Sequence, residues 1–171
     1  PEAWETHASK MAVSFRHSSA FKSQNAHVAS WLRLGELQTQ EFSCESYDQD
    51  GFKKSLHELR LLSGESSNVD FQRVRWICAQ AGVQIALVPP IGKTRLWGAA
   101  RWLGDKPLIQ LSMLYKTDDH LWFTLFHEAG HILLHRKKKG VFLDAEKQFH
   151  GTKEEEEANI FAANFLIPRK D

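Results

Sequence analysis

The stretch LWFTLFHEAGHILLH, residues 121–135, decides how the rest of the chain is arranged. It contains the motif His127-Glu128-x-x-His131. Residues four apart lie on one face of a helix, so the two imidazoles can bind one metal ion. Glu128 can reach a water molecule held by that ion and take its proton. The pattern therefore predicts a metal-binding helix.

The residues around the motif favour a buried helix. Apolar side chains lie on nearly all sides of it, and a buried histidine needs a partner for its ring nitrogens. We expect Asp118 or Asp119 at the N-cap, where a carboxylate can accept from free backbone amides. The alternative is a pair of hydrogen-bonded core histidines beside a capping glutamate, because the motif also arises by chance. The apolar residues are Leu121, Trp122, Phe123, Leu125, Phe126, Ile132, Leu133 and Leu134.

The composition is that of an ordinary globular domain. The 171 residues are 42% hydrophobic and 25% charged, which is enough chain for a real core. A net charge of +1 argues against a dedicated nucleic-acid surface. Cys44 and Cys78 lack metal-site spacing, so we expect free thiols in a reducing, cytoplasmic compartment. The sequence has neither a long apolar run nor a signal pattern, and we expect no membrane contact.

The first part of the chain is predicted to be helical and has no assigned chemistry. Apolar residues recur at three- and four-residue steps in residues 4–15 and again in residues 26–37. A third helix is expected to be capped by Asp50 and to end at Ser63-Gly64.

A short polar stretch, residues 65–68, is the best candidate for an internal boundary. We therefore expect an N-terminal helical segment at residues 1–68 and a second domain at residues 69–171. The second domain mixes helix and strand, so the predicted fold class is α+β.

The elements of the second domain follow from periodicity and turn residues. A strand that contains proline at its start is suited to a sheet edge, so Pro107 predicts an edge strand. Because these strands precede the metal helix, we expect a sheet that covers the cleft. The predicted elements are a helix at 69–81 ended by Gly82, a strand at 83–88, a hairpin of strands at 96–103 and 107–111, and a short strand at 140–143.

Two imidazoles do not complete a catalytic zinc site, which uses three protein ligands and a water. His135 lies eight residues beyond His127, about 12 Å along a helix axis. One ion cannot contact both, so we do not expect His135 to be a ligand. A carboxylate from a second helix remains.

The run KEEEEANIFAANFLIP, residues 153–168, provides candidate carboxylates. Its apolar face predicts that Glu154 and Glu155 point inward. Glu157 lies nearer the border of that face, and Glu156 points away. The alternative is a solvated acidic first turn, which the helix dipole favours.

The sequence resembles the ImmA/IrrE metallopeptidase family over about residues 70–168. The resemblance is carried by His127-Glu128-x-x-His131 with a histidine at 135, by EEEANIFAA at residues 155–163, and by Leu166-Ile167-Pro168. It implies a zincin-like core, in which a small sheet, a metal-binding helix and a third-ligand helix surround zinc. In zincins with a glutamate ligand, that glutamate often stands four residues before Asp or Asn. Glu155 has this spacing to Asn159, so Glu155 is the expected ligand and Glu157 the second choice.

The mechanism implied by the resemblance is zinc-dependent hydrolysis of a peptide bond. His127, His131 and Glu155 are expected to bind Zn²⁺, and Glu128 is expected to act as the general base. Asn159 is expected to orient a ligating histidine.

The sequence upstream of the metal-binding motif is similar to the C-terminal part of HigA-like antitoxin regulators. Those regulators carry a helix-turn-helix domain N-terminal to such a segment. The similar stretches are SWLRLGE at residues 30–36 and WGAARWL at residues 97–103. Since the chain opens on Pro1, we expect it to be the effector part of a longer regulator. Its expected partner is a protein, a repressor or toxin, with a homodimer possible and no nucleic acid bound by this segment. The alternative function is a non-catalytic zinc-binding sensor or interaction module.

Overall fold

The computed structural model describes residues 25–64, 70–92, 94–114, 117–136, 140–145 and 152–167. These residues form five helices and a four-stranded mixed sheet, which confirms the predicted α+β class. The helix expected at residues 4–15 and the polar boundary at 65–68 lie outside the described residues. In chain order, the elements are α1 (Asn25–Thr39), α2 (Gln49–Ser63), α3 (Phe71–Gln80), β1 (Gln84–Leu87), β2 (Leu96–Leu103), β3 (Lys106–Leu111), α4 (Asp118–Leu134), β4 (Val141–Ala145) and α5 (Lys153–Leu166).

The ends of two helices differ from the sequence prediction. Helix α2 is capped by Asp48, whose side chain accepts from the Asp50 amide, because Asp48 is the residue with extended backbone. Thr117 is the N-cap of α4, again with extended backbone. Asp118 and Asp119 therefore lie in the first turn, where their negative charge still interacts favourably with the positive end of the helix dipole. The predicted end of α2 at Gly64 is confirmed.

The sheet has the strand order β1-β3-β2-β4. The predicted hairpin of β2 and β3 is confirmed, and β1 runs parallel to β3. Pro107 does not mark an edge strand, because β3 lies between β1 and β2. The proline is tolerated there because pairing with β1 begins only at Leu108, so its missing N–H costs no bond to β1.

Helices cover both faces of the sheet. On one face, α4 packs with α2, α3 and α5 around a core that includes Phe52, Phe126 and Ile109. On the other face, α1 buries Trp31 and Leu32 against the strands. The metal-motif helix is therefore enclosed between the sheet and other helices, which agrees with the predicted buried environment.

Hydrogen bonds fasten α1 to the sheet. The indole Nε1 of Trp31 donates to the Val88 carbonyl at 3.0 Å, and Gln110 Nε2 donates to the Trp31 carbonyl at 2.6 Å. Arg101 donates to the Leu32 carbonyl at 2.7 Å. The division into residues 1–68 and 69–171 stays a prediction, but α1 shares a core with the strands of the second part.

Two further expectations concern the thiols and the membrane. Cys44 and Cys78 are free, as the sequence predicts. Within the described ranges, each helix is too short or too polar to cross a membrane.

Candidate metal centre

The two histidines of the motif lie on the buried face of α4. His127 and His131 are each 2% exposed, and Glu128 is fully buried. Their burial follows from the apolar residues around them, which place this turn of the helix between the sheet and α5.

Helix α5 approaches α4 closely at the motif. Gly130 permits this contact, because a Cβ atom there would lie 3.2 Å from the Cα of Ala158. Ala158 and Ala162 are buried at the crossing, which confirms the apolar face predicted for this helix. The small residues bring the first turn of α5 within reach of the imidazoles.

Glu155 reaches both histidines from α5. Its two carboxylate oxygens lie 3.2 Å from His127 Nε2 and 3.3 Å from His131 Nε2. The two Nε2 atoms are themselves 3.1 Å apart. Three candidate ligand groups, all predicted from the sequence, are thus brought together at one point in the core.

The other glutamates of the acidic run have different surroundings. Glu156 is exposed and points away from the metal helix, as predicted. Glu157 is 40% exposed and accepts from His135 Nε2 at 2.9 Å. Among the described residues, Glu155 is the member of this run that joins the two histidines in the candidate metal group.

Asn159 lies next to His127, as expected. Its Oδ1 is 3.0 Å from His127 Nδ1. A carbonyl oxygen only accepts, so the proton of a neutral His127 is on Nδ1. The lone pair is then on Nε2, the nitrogen that faces Glu155 and His131.

His135 has a role that sequence reasoning missed. It is the C-cap residue of α4, and its Nδ1 lies 3.1 Å from Nδ1 of His131. The sequence predicts only that His135 is not a metal ligand. Its spacing of four residues from His131 was a signal that the two rings share a face.

Glu128 is buried between α4 and β2. A Cβ atom on Gly98 would lie 2.5 Å from Glu128 Oε1, so a larger residue there would force this carboxylate to shift. Within the part of the chain that the structure describes, neither Glu128 oxygen has a hydrogen-bond partner. Burial raises the pKa of Glu128 well above its usual value of 4.5, and the charges of Asp144 and Glu155 raise it further.

Asp144, on β4, is a member of the site that the sequence did not reveal. Its carboxylate belongs to a group with Glu128 and His127 in which the potential ligand atoms lie within 4.8 Å of one another. The strand predicted from the sequence ends at residue 143, and no local pattern places this aspartate beside α4.

The pKa values of the three converging groups show how they interact without a metal. Burial opposes ionisation of Glu155, but its contacts with the imidazoles of His127 and His131 lower its pKa to about 2. Burial also acts against the charge of His127, yet the hydrogen bond with Glu155 gives a net raised pKa. Burial lowers the pKa of His131. The site therefore favours one positively charged imidazole beside the carboxylate of Glu155.

This donor set fits a divalent metal. Two neutral imidazoles with their Nε2 lone pairs directed to the same point, beside an ionised carboxylate, repel one another unless a cation lies between them. Two histidines and one glutamate are also the protein ligands of a known type of catalytic zinc site. The Glu128 carboxylate has no hydrogen-bond partner among the described residues and lies within 4.8 Å of a ring nitrogen of His127, which suits a proton acceptor for a bound water.

A peptidase family model, described as the IrrE N-terminal-like domain, matches residues 80–171. The match covers more than half of the chain, including β2, β3, α4 and α5. A search of curated proteins found no match. The matched residues contain all three converging groups and Glu128, so the chain belongs to the IrrE N-terminal-like family, whose domains are of the metallopeptidase type.

Proposed function

We propose that this domain is a zinc-dependent endopeptidase that hydrolyses a peptide bond in a partner protein. The observation that carries the proposal is the convergence of His127 Nε2, His131 Nε2 and Glu155 within 3.3 Å of one another. In this proposal these three side chains hold the ion, with His127 oriented by Asn159.

Glu128 is the proposed general base. When bound, zinc lowers the pKa of its water to about 7 and polarises the scissile carbonyl. Glu128 accepts a proton from the attacking water at a carboxylate oxygen and later donates it to the leaving amine. Water is consumed, the peptide C–N bond breaks, and a carboxyl and an amino group result. The raised pKa of Glu128 makes its carboxylate more basic, which favours this proton transfer.

The ligand assignment is tested by metal analysis of the purified chain. We expect one equivalent of zinc in the wild type and in the control Glu156→Gln, whose side chain is exposed. His131→Ala and Glu155→Gln should lose most of the metal. If both ligand variants keep a full equivalent, the assignment is wrong; if only Glu155→Gln keeps it, the third ligand is Glu157 or Glu154.

The general-base assignment is tested with Glu128→Gln. This variant should keep zinc and the fold, but its cleavage of candidate repressors or toxins should fall by about 10²- to 10⁴-fold. Equal cleavage by the variant and the wild type would exclude Glu128 as the base.

A non-catalytic zinc-binding sensor is the second candidate. It is favoured by the complete burial of Glu128, because a peptidase must expose its base to water and substrate. A wild-type chain that holds zinc but leaves every candidate partner intact would support this function over hydrolysis.

We also propose that the domain is the cytoplasmic effector part of a transcriptional regulator or antitoxin. The net charge of +1 supports this division, because protein–DNA affinity depends on several phosphate contacts. The 171-residue chain should not shift operator DNA at physiological salt, whereas a protein that carries the DNA-binding part should. Tight, sequence-specific binding of DNA by this chain alone would refute the division. Light scattering would show whether the chain is a homodimer.

A further inference from the structure

A series of hydrogen bonds links Glu157 to His135 and His135 to His131. Glu157 Oε2 lies 2.9 Å from His135 Nε2, and His135 Nδ1 lies 3.1 Å from His131 Nδ1. The His135 backbone amide also donates to the His131 carbonyl at 3.0 Å, which fixes His135 at the end of α4. This series of hydrogen bonds therefore connects the exposed side of α5 with an imidazole in the core.

The direction of these hydrogen bonds follows from their chemistry. An ionised carboxylate only accepts, so His135 Nε2 carries a proton and donates it to Glu157. In a neutral imidazole the other nitrogen is then an acceptor, so His135 Nδ1 accepts from His131 Nδ1–H. His131 is left with its lone pair on Nε2. This is the nitrogen that faces Glu155 at 3.3 Å.

Phe142 restrains the same two rings from β4. Its ring stacks on His131 with centroids 4.2 Å apart and an interplanar angle of 11°. Its centroid lies 5.5 Å from that of His135. The stacking fixes the plane of the His131 ring, while the hydrogen bond at Nδ1 selects one of the two orientations that a ring flip about Cβ–Cγ would exchange.

The two histidines of the motif thus have separate partners of different kinds. His127 is oriented by Asn159, which accepts directly from its Nδ1. At Nδ1 the partner of His131 is His135, and Glu157 lies behind His135. A mere packing role for His135 does not require a hydrogen-bond partner at each ring nitrogen, whereas control of the His131 tautomer does, and His135 has both partners.

We infer that His135 and Glu157 are positioning residues that hold His131 in the Nδ1–H tautomer required for metal binding through Nε2. This inference rests on the proposed function for its consequence, since it concerns the affinity of the proposed zinc site. Outer partners of ligating histidines commonly change metal affinity by about 10- to 100-fold.

The first test measures zinc affinity by competition with a chelator. His135→Phe keeps a ring of similar size but removes the acceptor, and Glu157→Ala removes the carboxylate at a position that is 40% exposed. Each variant should bind zinc about 10- to 100-fold more weakly than the wild type. Glu157→Gln keeps an acceptor oxygen and should recover part of the loss. The matched control is Glu156→Ala, on the exposed side of the same helix turn, with unchanged affinity expected.

The second test reads the tautomer directly in the metal-free protein. Imidazole ¹⁵N chemical shifts at a pH where the rings are neutral should show His131 mainly as Nδ1–H in the wild type. His135→Phe and Glu157→Ala should shift the population toward Nε2–H. Because Glu157 is partly exposed, Glu157→Ala provides the answer even if His135→Phe does not fold.

A failure of the proposed zinc-binding function and a failure of the tautomer inference would give different results. If the wild type binds no zinc, the proposed function fails, while the ¹⁵N spectra still support or refute the inference about the tautomer. If the wild type binds zinc and Glu157→Ala matches Glu156→Ala in both affinity and tautomer, the positioning role is refuted and the ligand assignment stands.

Discussion

At the scale of single residues, the charge state of Glu155 links the site to the stability of the metal-free fold. Contacts with the imidazoles of His127 and His131 outweigh burial and hold the folded-state pKa of Glu155 at about 2, against an ordinary value of 4.5. A carboxyl whose pKa is depressed on folding stabilises the fold above its unfolded-state pKa. That contribution is lost as the pH falls from 4.5 toward 2.

His127 limits the effect at higher pH. Its pKa is raised through Glu155 despite the opposing effect of burial, so its contribution is complete below the ordinary value of 6.5 and disappears as the pH rises through the folded-state pKa. The ion pair between the two side chains therefore stabilises the metal-free protein most between about pH 5 and pH 6.

We predict that Glu155→Gln destabilises the metal-free protein most in this window. The loss should be on the order of 2–3 kcal/mol, which is the shift from 4.5 to about 2 taken at about 1.4 kcal/mol per unit and reduced for solvent screening. Denaturant unfolding in the presence of a chelator, from pH 3 to pH 8, measures the difference between variant and wild type. The control Glu156→Gln should show no such maximum, and a difference for Glu155→Gln that is independent of pH would contradict the prediction.

At the scale of elements, the site depends on how closely β2 approaches α4. A Cβ atom on Gly98 would lie 2.5 Å from Glu128 Oε1 and 2.8 Å from Thr124 Cγ2. Both side chains belong to a fully packed part of the core, so they cannot move aside without displacing the helix. The glycine is needed for the close approach of the two backbones.

We predict that Gly98→Ala destabilises the fold by about 1–3 kcal/mol, the usual cost of overpacking a core. It should also displace the Glu128 carboxylate and lower any peptidase activity beyond the loss of stability. The shift of the urea midpoint measures the first effect. Gly64→Ala is the control, since a Cβ atom there meets nothing closer than the Leu61 carbonyl at 3.6 Å. Equal midpoints for the two variants would show that the β2–α4 contact relaxes easily.

At the scale of the whole molecule, α1 joins the face of the sheet opposite the metal helix. Gly35 lies directly over Gln110, which is fully buried. Gln110 donates to the Trp31 carbonyl and accepts from Arg101 at 3.0 Å. A Cβ atom on Gly35 would overlap the Gln110 amide, and a shift of that amide would disturb its two buried hydrogen bonds.

We predict that Gly35→Ala destabilises the protein by about 1–3 kcal/mol. The higher helix propensity of alanine offsets at most about 1 kcal/mol of this cost. Gly64→Ala is again the control, because its Cβ would meet nothing closer than the Leu61 carbonyl at 3.6 Å. A stability equal to that of the control would contradict the prediction.

The same variant tests the predicted boundary after residue 68. If α1 and the sheet unfold together, tryptophan fluorescence and circular dichroism should give one coincident transition, at lower denaturant in Gly35→Ala. Two separate transitions would support independent units at residues 1–68 and 69–171.

Local periodicity and turn chemistry determined the parts of this protein that need only neighbours in sequence. The common face of His127 and His131 follows from 3.6 residues per turn, and the β2–β3 hairpin follows from alternation around a short glycine-containing turn. For the same reason, the helical wheel predicted that Glu155 points inward and Glu156 outward. These features are fixed by the backbone geometry of one element at a time.

Only the tertiary structure decided how the elements meet. The crossing of α4 and α5 at Gly130 brings Glu155 to the histidines and leaves Glu157 with His135. The strand order makes the strand of Pro107 internal, and the packing of β4 brings Asp144 beside Glu128. Contacts between residues distant in sequence depend on which faces of two elements pack together. The periodicity within one element shows which of its faces is buried, but not which other element covers that face.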